Sequence, residues 1–258
     1  KIVSTFKIAL VTGPRQVGKS TLLKELYGAE YEYITFDDIN ELQLATSDPK
    51  LFFINHPGKL IIDEVQLCPE IFSELKRIVD STDEVGQFIL TGSQTFALMQ
   101  NVSESLAGRV GIMELKPLST QEIIGHSQNN AFVPSTTLIH DSHSELNYSQ
   151  LWEIIHRGSL PELYRRPEMD WEMYYSSYLT TFIQRDVRQL TAIQDLNLFN
   201  RFISILAART SQEVNYANIA QEVGVDQKTV KAWIGILEAS GMIYIIPTFS
   251  NNQLKRVT

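Results

Sequence analysis

The chain has 258 residues, of which 43% are apolar and 20% charged, with a formal net charge of −8. There is enough Leu, Ile, Val, Phe and Tyr to build one large core or two smaller ones, which excludes a chain disordered throughout. The apolar runs, such as 60–62 and 242–247, fall far short of the ~20 residues a bilayer crossing needs, and the acidic balance disfavours indiscriminate binding to nucleic acid.

Residues 6–118 alternate between strand and helix patterns. Strands are expected at 7–11, 33–36, 60–63, 87–90 and 110–115, and helices at 20–27, 49–55, 70–80 and 94–107. Such alternation, with strands rich in Ile, Leu and Val, predicts an α/β fold: a parallel sheet with helices on both faces. Between the first strand and the first helix runs Gly13-Pro14-Arg15-Gln16-Val17-Gly18-Lys19-Ser20, with Thr21 next. This is the G-x-x-x-x-G-K-[ST] spacing of a phosphate loop. Its successive N–H groups can form an anion nest, to which the following helix adds its positive end. Lys19 is expected on the β and γ phosphates of ATP, and Ser20 on Mg²⁺. A turn that matches by chance is the competing explanation, and the strand-then-helix setting argues against it.

The third strand ends in Asp63-Glu64. Ligands of open parallel sheets sit at the carboxyl ends of the strands. There Asp63 can hold Mg²⁺ and Glu64 can act as general base on the attacking water. Taken alone, the pair would read as an ordinary acidic turn. The fourth strand ends in Thr91-Gly92-Ser93. If it lies between the first and third strands, Thr91 or Ser93 faces the γ-phosphate; Ser93 equally suits the N-cap of the next helix. Arg109 precedes the fifth strand. It is either a cation delivered to a γ-phosphate, often that of a neighbouring subunit, or a surface arginine paired with an acid. Arg157, Arg185, Arg188 and Arg209 are weaker candidates for the same duty.

Residues 126–150 are polar and aperiodic and read as a long loop. Residues 151–198 carry aromatic residues at helical spacing, which suits packing between helices. Residues 199–258 hold six Lys/Arg against four Asp/Glu, a balance of +2 that leaves −10 for the rest. Within them, 216–238 fits a helix-turn-helix, with Ile219, Val223, Val225, Val230 and Trp233 at buried spacings. The segments 242–247 and 254–258 are expected to pair as a wing. Lys228, Thr229 and Lys231 would be exposed on the second helix, and with Lys255 and Arg256 of the wing they could meet DNA phosphates. Packing against protein is the alternative use of the same module. The lone Cys68 suits a reducing cytoplasm, and His56, His126, His140, His143 and His156 have no metal-ligand spacing with it.

These motifs together resemble the AAA-type P-loop ATPases, and in particular a prokaryotic family of AAA ATP-binding proteins. The resemblance rests on 13–20, Asp63–Gln66, 90–94, Leu106-Ala107-Gly108-Arg109, Pro117–Ser119 with Glu122, 158–162, 185–188 and Leu206-Ala207-Ala208-Arg209. It covers nearly the whole chain. It implies a P-loop NTPase core over 1–118, a helical lid over 119–198 and a winged helix over 199–258. It also implies an arginine finger at Arg109, and a further nuclease-like domain after Lys255-Arg256 that this sequence does not contain. The chain, which opens at Lys1, reads as part of something longer.

The expected function is Mg²⁺-dependent ATP hydrolysis coupled to movement of lid and winged helix, acting on DNA or a protein partner, in a cytoplasmic protein that could be a homo-oligomer. A non-hydrolysing nucleotide switch is the alternative; Glu64 beside Asp63 favours turnover, because a mere binder needs no base. A small-molecule kinase shares the loop but has no use for a winged helix.

Overall fold

The computed structural model describes residues 1–93, 102, 104–125, 146–183, 187, 193 and 195–247. The chain divides into two compact units, Lys1–Glu172 and Met173–Thr258.

The first unit runs β1 (Ile8–Thr12), α1 (Lys19–Tyr27), β2 (Glu32–Thr35), α2 (Ile39–Ser47), α3 (Pro49–Asn55), β3 (Leu60–Asp63), α4 (Ile71–Asp80), β4 (Phe88–Thr91) and β5 (Val110–Glu114). The strands form one sheet in the order β2-β3-β4-β1-β5, and every neighbouring pair is parallel. The strand alternation sorts side chains onto two faces. Ile8, Leu10, Leu60, Ile62, Phe88 and Leu90 pack with Phe52, Ile71, Phe72 and Leu75 from α3 and α4 on one face. Ala9, Val11, Ile61 and Ile89 pack with Leu23 of α1 on the other. Both faces are therefore buried, as the apolar strands predict. Of the helix expected over 94–107, residues 102 and 104–105 are helical, and 94–101 and 103 lie outside the described residues.

Helices α5 (Thr120–Ile123), α6 (Tyr148–Arg157) and α7 (Pro161–Arg165) follow in the same unit. The loop expected over 126–150 falls mostly on 126–145, outside the described residues. Its last residues are helical instead. Asn147 accepts from the N–H of Gln150 while Gln150 reaches back to the N–H of Asn147, a reciprocal cap that starts α6 early. Helix α8 (Trp171–Phe182) spans the boundary between the units.

The second unit continues with α9 (Leu196–Ala207), α10 (Tyr216–Val223) and α11 (Gln227–Ala239). Phe199 and Phe202 meet Trp233 at ring distances of 5.2 and 5.3 Å. Ile219, Val223, Val230 and Leu237 close this core, while Val225 is only half-buried. Helices α10 and α11 are joined by residues 224–226, the expected helix-turn-helix arrangement. Of the two segments expected to pair as a wing, 243–247 form no strand and 254–258 lie outside the described residues. Among the described residues no helix is long and apolar enough to cross a membrane.

Candidate functional site

The carboxyl ends of β1, β3 and β4 lie side by side, because β4 is between β1 and β3. Three short segments leave the sheet there: 13–18, 64–67 and 92–93.

The first needs its glycines. Gly13 has φ 144°, and a Cβ on it would stand 2.2 Å from the carbonyl oxygen of Leu115, so only glycine fits. Gly18, at φ 91°, is the N-cap of α1 and supplies no side-chain cap. The first-turn N–H groups of α1 are thus left for an acceptor from outside the helix. Gln16 also has positive φ, at 62°. Residues of positive φ set among ordinary ones are the backbone pattern from which anion nests are built. Lys19 is buried, and its Nζ donates to the carbonyl oxygens of Gly13 at 3.0 Å and Pro14 at 2.8 Å. Burial holds its ammonium pKa below the usual lysine value, against the pull of Glu64 and Asp63 nearby.

Asp63 closes the second side. It is only 6% exposed. Its Oδ2 accepts from the Ser20 hydroxyl at 2.7 Å and from the Tyr33 hydroxyl. Its Oδ1 accepts from Thr91 Oγ1 at 2.8 Å and from the Glu64 N–H at 3.1 Å. A buried carboxylate is tolerable when its lone pairs are filled in this way. The Tyr33 phenol is held well above its ordinary pKa, first by burial and then by Asp63, and the Lys24 ammonium stands 3.8 Å from the centre of its ring.

Glu64 leaves the strand with φ 57° and ψ 40°, a left-handed conformation that costs ~1–2 kcal/mol for a residue with a Cβ. The kink takes its side chain out of the strand's alternation. Burial raises its carboxyl above the usual glutamate range, opposed by a hydrogen bond from Gln66 and reinforced by Asp63. Gln66 Nε2 donates to Glu64 and, at 3.2 Å, to Ser93 Oγ.

The sheet therefore brings together Lys19, Ser20, Asp63, Glu64, Thr91 and Ser93, from three segments distant in sequence. Ser20 and Asp63 are hard oxygen donors of the kind Mg²⁺ takes. No group of three or more His, Cys, Asp or Glu able to hold a metal occurs among the described residues. Thr21, also expected at the nucleotide, is exposed on the first turn of α1.

Other expectations are modified. Thr91 is fully buried and spends its hydroxyl on Asp63, so it supports the acid, while Ser93 accepts from Gln66. Arg109 is tied to Asp80 through Nε and, at 2.9 Å, Nη2, and donates from Nη1 to the Ala107 carbonyl. It precedes β5, whose first residue pairs with Ile8, so it stands at the opposite end of β1 from the loop. Five residues at ~3.3 Å each set the two ~16 Å apart. Arg157 donates to the carbonyls of Leu163 and Pro167, and Arg209 pairs with Glu222. Lys228 and Lys231 are exposed, as expected. Thr229 is half-buried and bonds to the N-cap Asp226 at 2.8 Å, which corrects its expected exposure. Arg185, Arg188, Lys255 and Arg256 lie outside the described residues.

Two members of the site escaped a reading of the residues: Tyr33 and Gln66. Tyr33 reaches Asp63 only because β2 pairs with β3 in a particular register, and that pairing has no local signal. Gln66 was visible only as the last letter of a motif.

Residues 5–124 match the family model described as an AAA domain. Residues 148–258 match that of a domain of unknown function, DUF8612. An uncharacterized protein of Mycobacterium bovis and one of Mycobacterium tuberculosis are each 31% identical over 247 residues, 95% of this chain and 51% of theirs. The chain thus spans about half the length of the curated relatives it matches. Among solved structures, the RuvB Holliday junction branch migration motor of Thermotoga maritima is similar at 17% identity and a TM-score of 0.38, covering 93% of this chain and 82% of that one.

Proposed function

We propose, from the match of residues 5–124 to the AAA domain model, that the chain is a P-loop ATPase that binds ATP with Mg²⁺ and hydrolyses it. One observation carries the reading: Ser20 and Asp63, 43 residues apart, meet at 2.7 Å beside Lys19 and Glu64. In this reading the N–H groups of 13–18 and the start of α1 receive the phosphates. Lys19 moves from the loop carbonyls to the β and γ oxygens. Ser20 and Asp63 would hold the Mg²⁺, which would supply charge neutralisation to the phosphates. Glu64 takes a proton from water as the water oxygen bonds to the γ-phosphorus and the bond to the β-bridging oxygen breaks, giving ADP and inorganic phosphate. Ser93 touches the γ-phosphate. Arg109, too far from its own loop, completes the site of a neighbouring copy.

Hydrolysis is coupled to movement of a helical lid over 119–198 and of the helices beyond it, and the output is contact with DNA or a protein partner. The exposed Lys228 and Lys231 at the start of α11 are the DNA-facing residues of that proposal.

The test is steady-state ATP turnover, with and without duplex DNA, beside Glu64→Gln. Turnover that is lost in Glu64→Gln, with nucleotide affinity kept, is the expected result; undiminished turnover would remove Glu64 from the role of base. Stimulation by duplex DNA would support DNA as the partner, and indifference to it would favour a protein.

A further inference from the structure

Gln66 takes no part in the hydrolysis just set out, yet it joins two groups that do. It sits in the 3-10 turn Val65–Leu67, one residue past the kink at Glu64. A carboxylate only accepts hydrogen bonds, so the amide nitrogen of Gln66, not its oxygen, must face Glu64. That nitrogen carries two protons and has two acceptors, Glu64 Oε2 and Ser93 Oγ. Because Ser93 accepts from Gln66, its own hydroxyl proton stays available for a phosphate oxygen. The Gln66 Oε1 is buried and has no hydrogen-bond partner among the described residues. A buried amide oxygen of this kind calls for a donor, and the water that Glu64 activates has a second proton to give.

We infer that Gln66 is a positioning residue that ties the Glu64 carboxylate to the phosphate-facing Ser93, so that a γ-phosphate on Ser93 sets the carboxylate for the attack on water. The inference rests on the roles given above to Glu64 and Ser93. It makes a chain of three side chains, with the ligand at one end and the base at the other. The chain crosses from β3 to β4, and the short kinked turn after β3 fixes its middle member.

A double-mutant cycle with Gln66→Met and Ser93→Ala tests it. Methionine keeps the length of glutamine and loses both donors; Gln66→Ala serves if the longer side chain misfolds. Two quantities are read: the thermal midpoint of the nucleotide-free protein, and turnover together with the affinity for a fluorescent ATP analogue. The expected result for Gln66→Met is affinity within about twofold of the parent and a kcat at least about tenfold lower, the signature of an interaction used in turnover and not in binding. Ser93→Ala added to it should cost little more, and the two midpoint shifts should be non-additive. Parental kcat in Gln66→Met, or additive midpoint shifts, would overturn the inference. If the parent itself shows no turnover, or Glu64→Gln loses none, the hydrolytic reading fails on its own account. The midpoint cycle then still decides whether Gln66 and Ser93 are joined.

Discussion

Asp63 shows how much chemistry rests on single atoms. Its two oxygens accept four hydrogen bonds, from Ser20, Tyr33, Thr91 and the Glu64 amide. The acid itself was legible as the last residue of an apolar strand. The hydroxyls of Tyr33 and Thr91 were not legible as its donors, because they arrive from other strands through register. Gly13 was legible too, as part of a loop motif, but its reason is tertiary: the Leu115 carbonyl leaves no room for a Cβ. Gly13→Ala should therefore cost ~1–3 kcal/mol in backbone strain alone, lower the thermal midpoint, and weaken ATP binding by reshaping the loop. Lys19→Ala should leave the fold intact and cost about 2–5 kcal/mol of nucleotide affinity, as expected when one partner of a charged, hydrogen-bonded contact is removed. Titration calorimetry with ATP and Mg²⁺ measures both. Unchanged affinity in Lys19→Ala would remove the loop from phosphate binding.

At the scale of elements, strands were read to within a residue because both faces are buried and apolar runs need no alternation to be seen. Helix α3 was legible in full. Pro49 starts it, and the Asp48 side chain accepts from the Leu51 N–H at 2.9 Å. Helix α2, by contrast, was missed. Its first residue, Ile39, is 73% exposed and only Ala45 is fully buried, so its apolar spacing is faint. The cap at Asp38, which accepts from the Asn40 N–H at 2.8 Å, carries the start instead. Removing the α3 cap with Asp48→Ala should cost about 1 kcal/mol, read as a shift in denaturant midpoint. Asp226, the cap of α11, offers a pH test. Its bonds to Thr229 hold its carboxyl below the usual value of 3.8. A carboxyl depressed in the folded state stabilises above its unfolded pKa, and that stability fades as the pH falls through the folded value. The advantage of the native chain over Asp226→Asn should accordingly shrink below about pH 4, as thermal melts across that range would report. An advantage that stays constant would mean that Asp226 does not titrate with folding.

The whole molecule is two cores on one chain. The change from strand–helix alternation to helices alone falls near residue 118, inside the first unit, and nothing in the periodicity of 171–182 marks the division inside α8. Phe199→Ala, which empties the centre of the second core, should cost about 3–5 kcal/mol there while ATP binding by the first unit persists. Loss of both together would show that the units fold as one. The proposed service of Arg109 to a neighbouring copy has a direct test. A mixture of Arg109→Ala and Lys19→Ala proteins should recover turnover that neither has alone, because an intact loop can then face an intact arginine. No recovery would confine the arginine to its pairing with Asp80. The bonds that Lys19 and Asp63 make within the protein bear finally on how fast a nucleotide is captured. Two loop carbonyls hold the ammonium and three hydroxyls hold the acid, so an arriving phosphate must displace partners already in place. Capture should proceed as a rapid, loose encounter followed by a slower rearrangement, and stopped-flow traces should level off at high ATP where a preformed site would give rates rising in proportion to concentration.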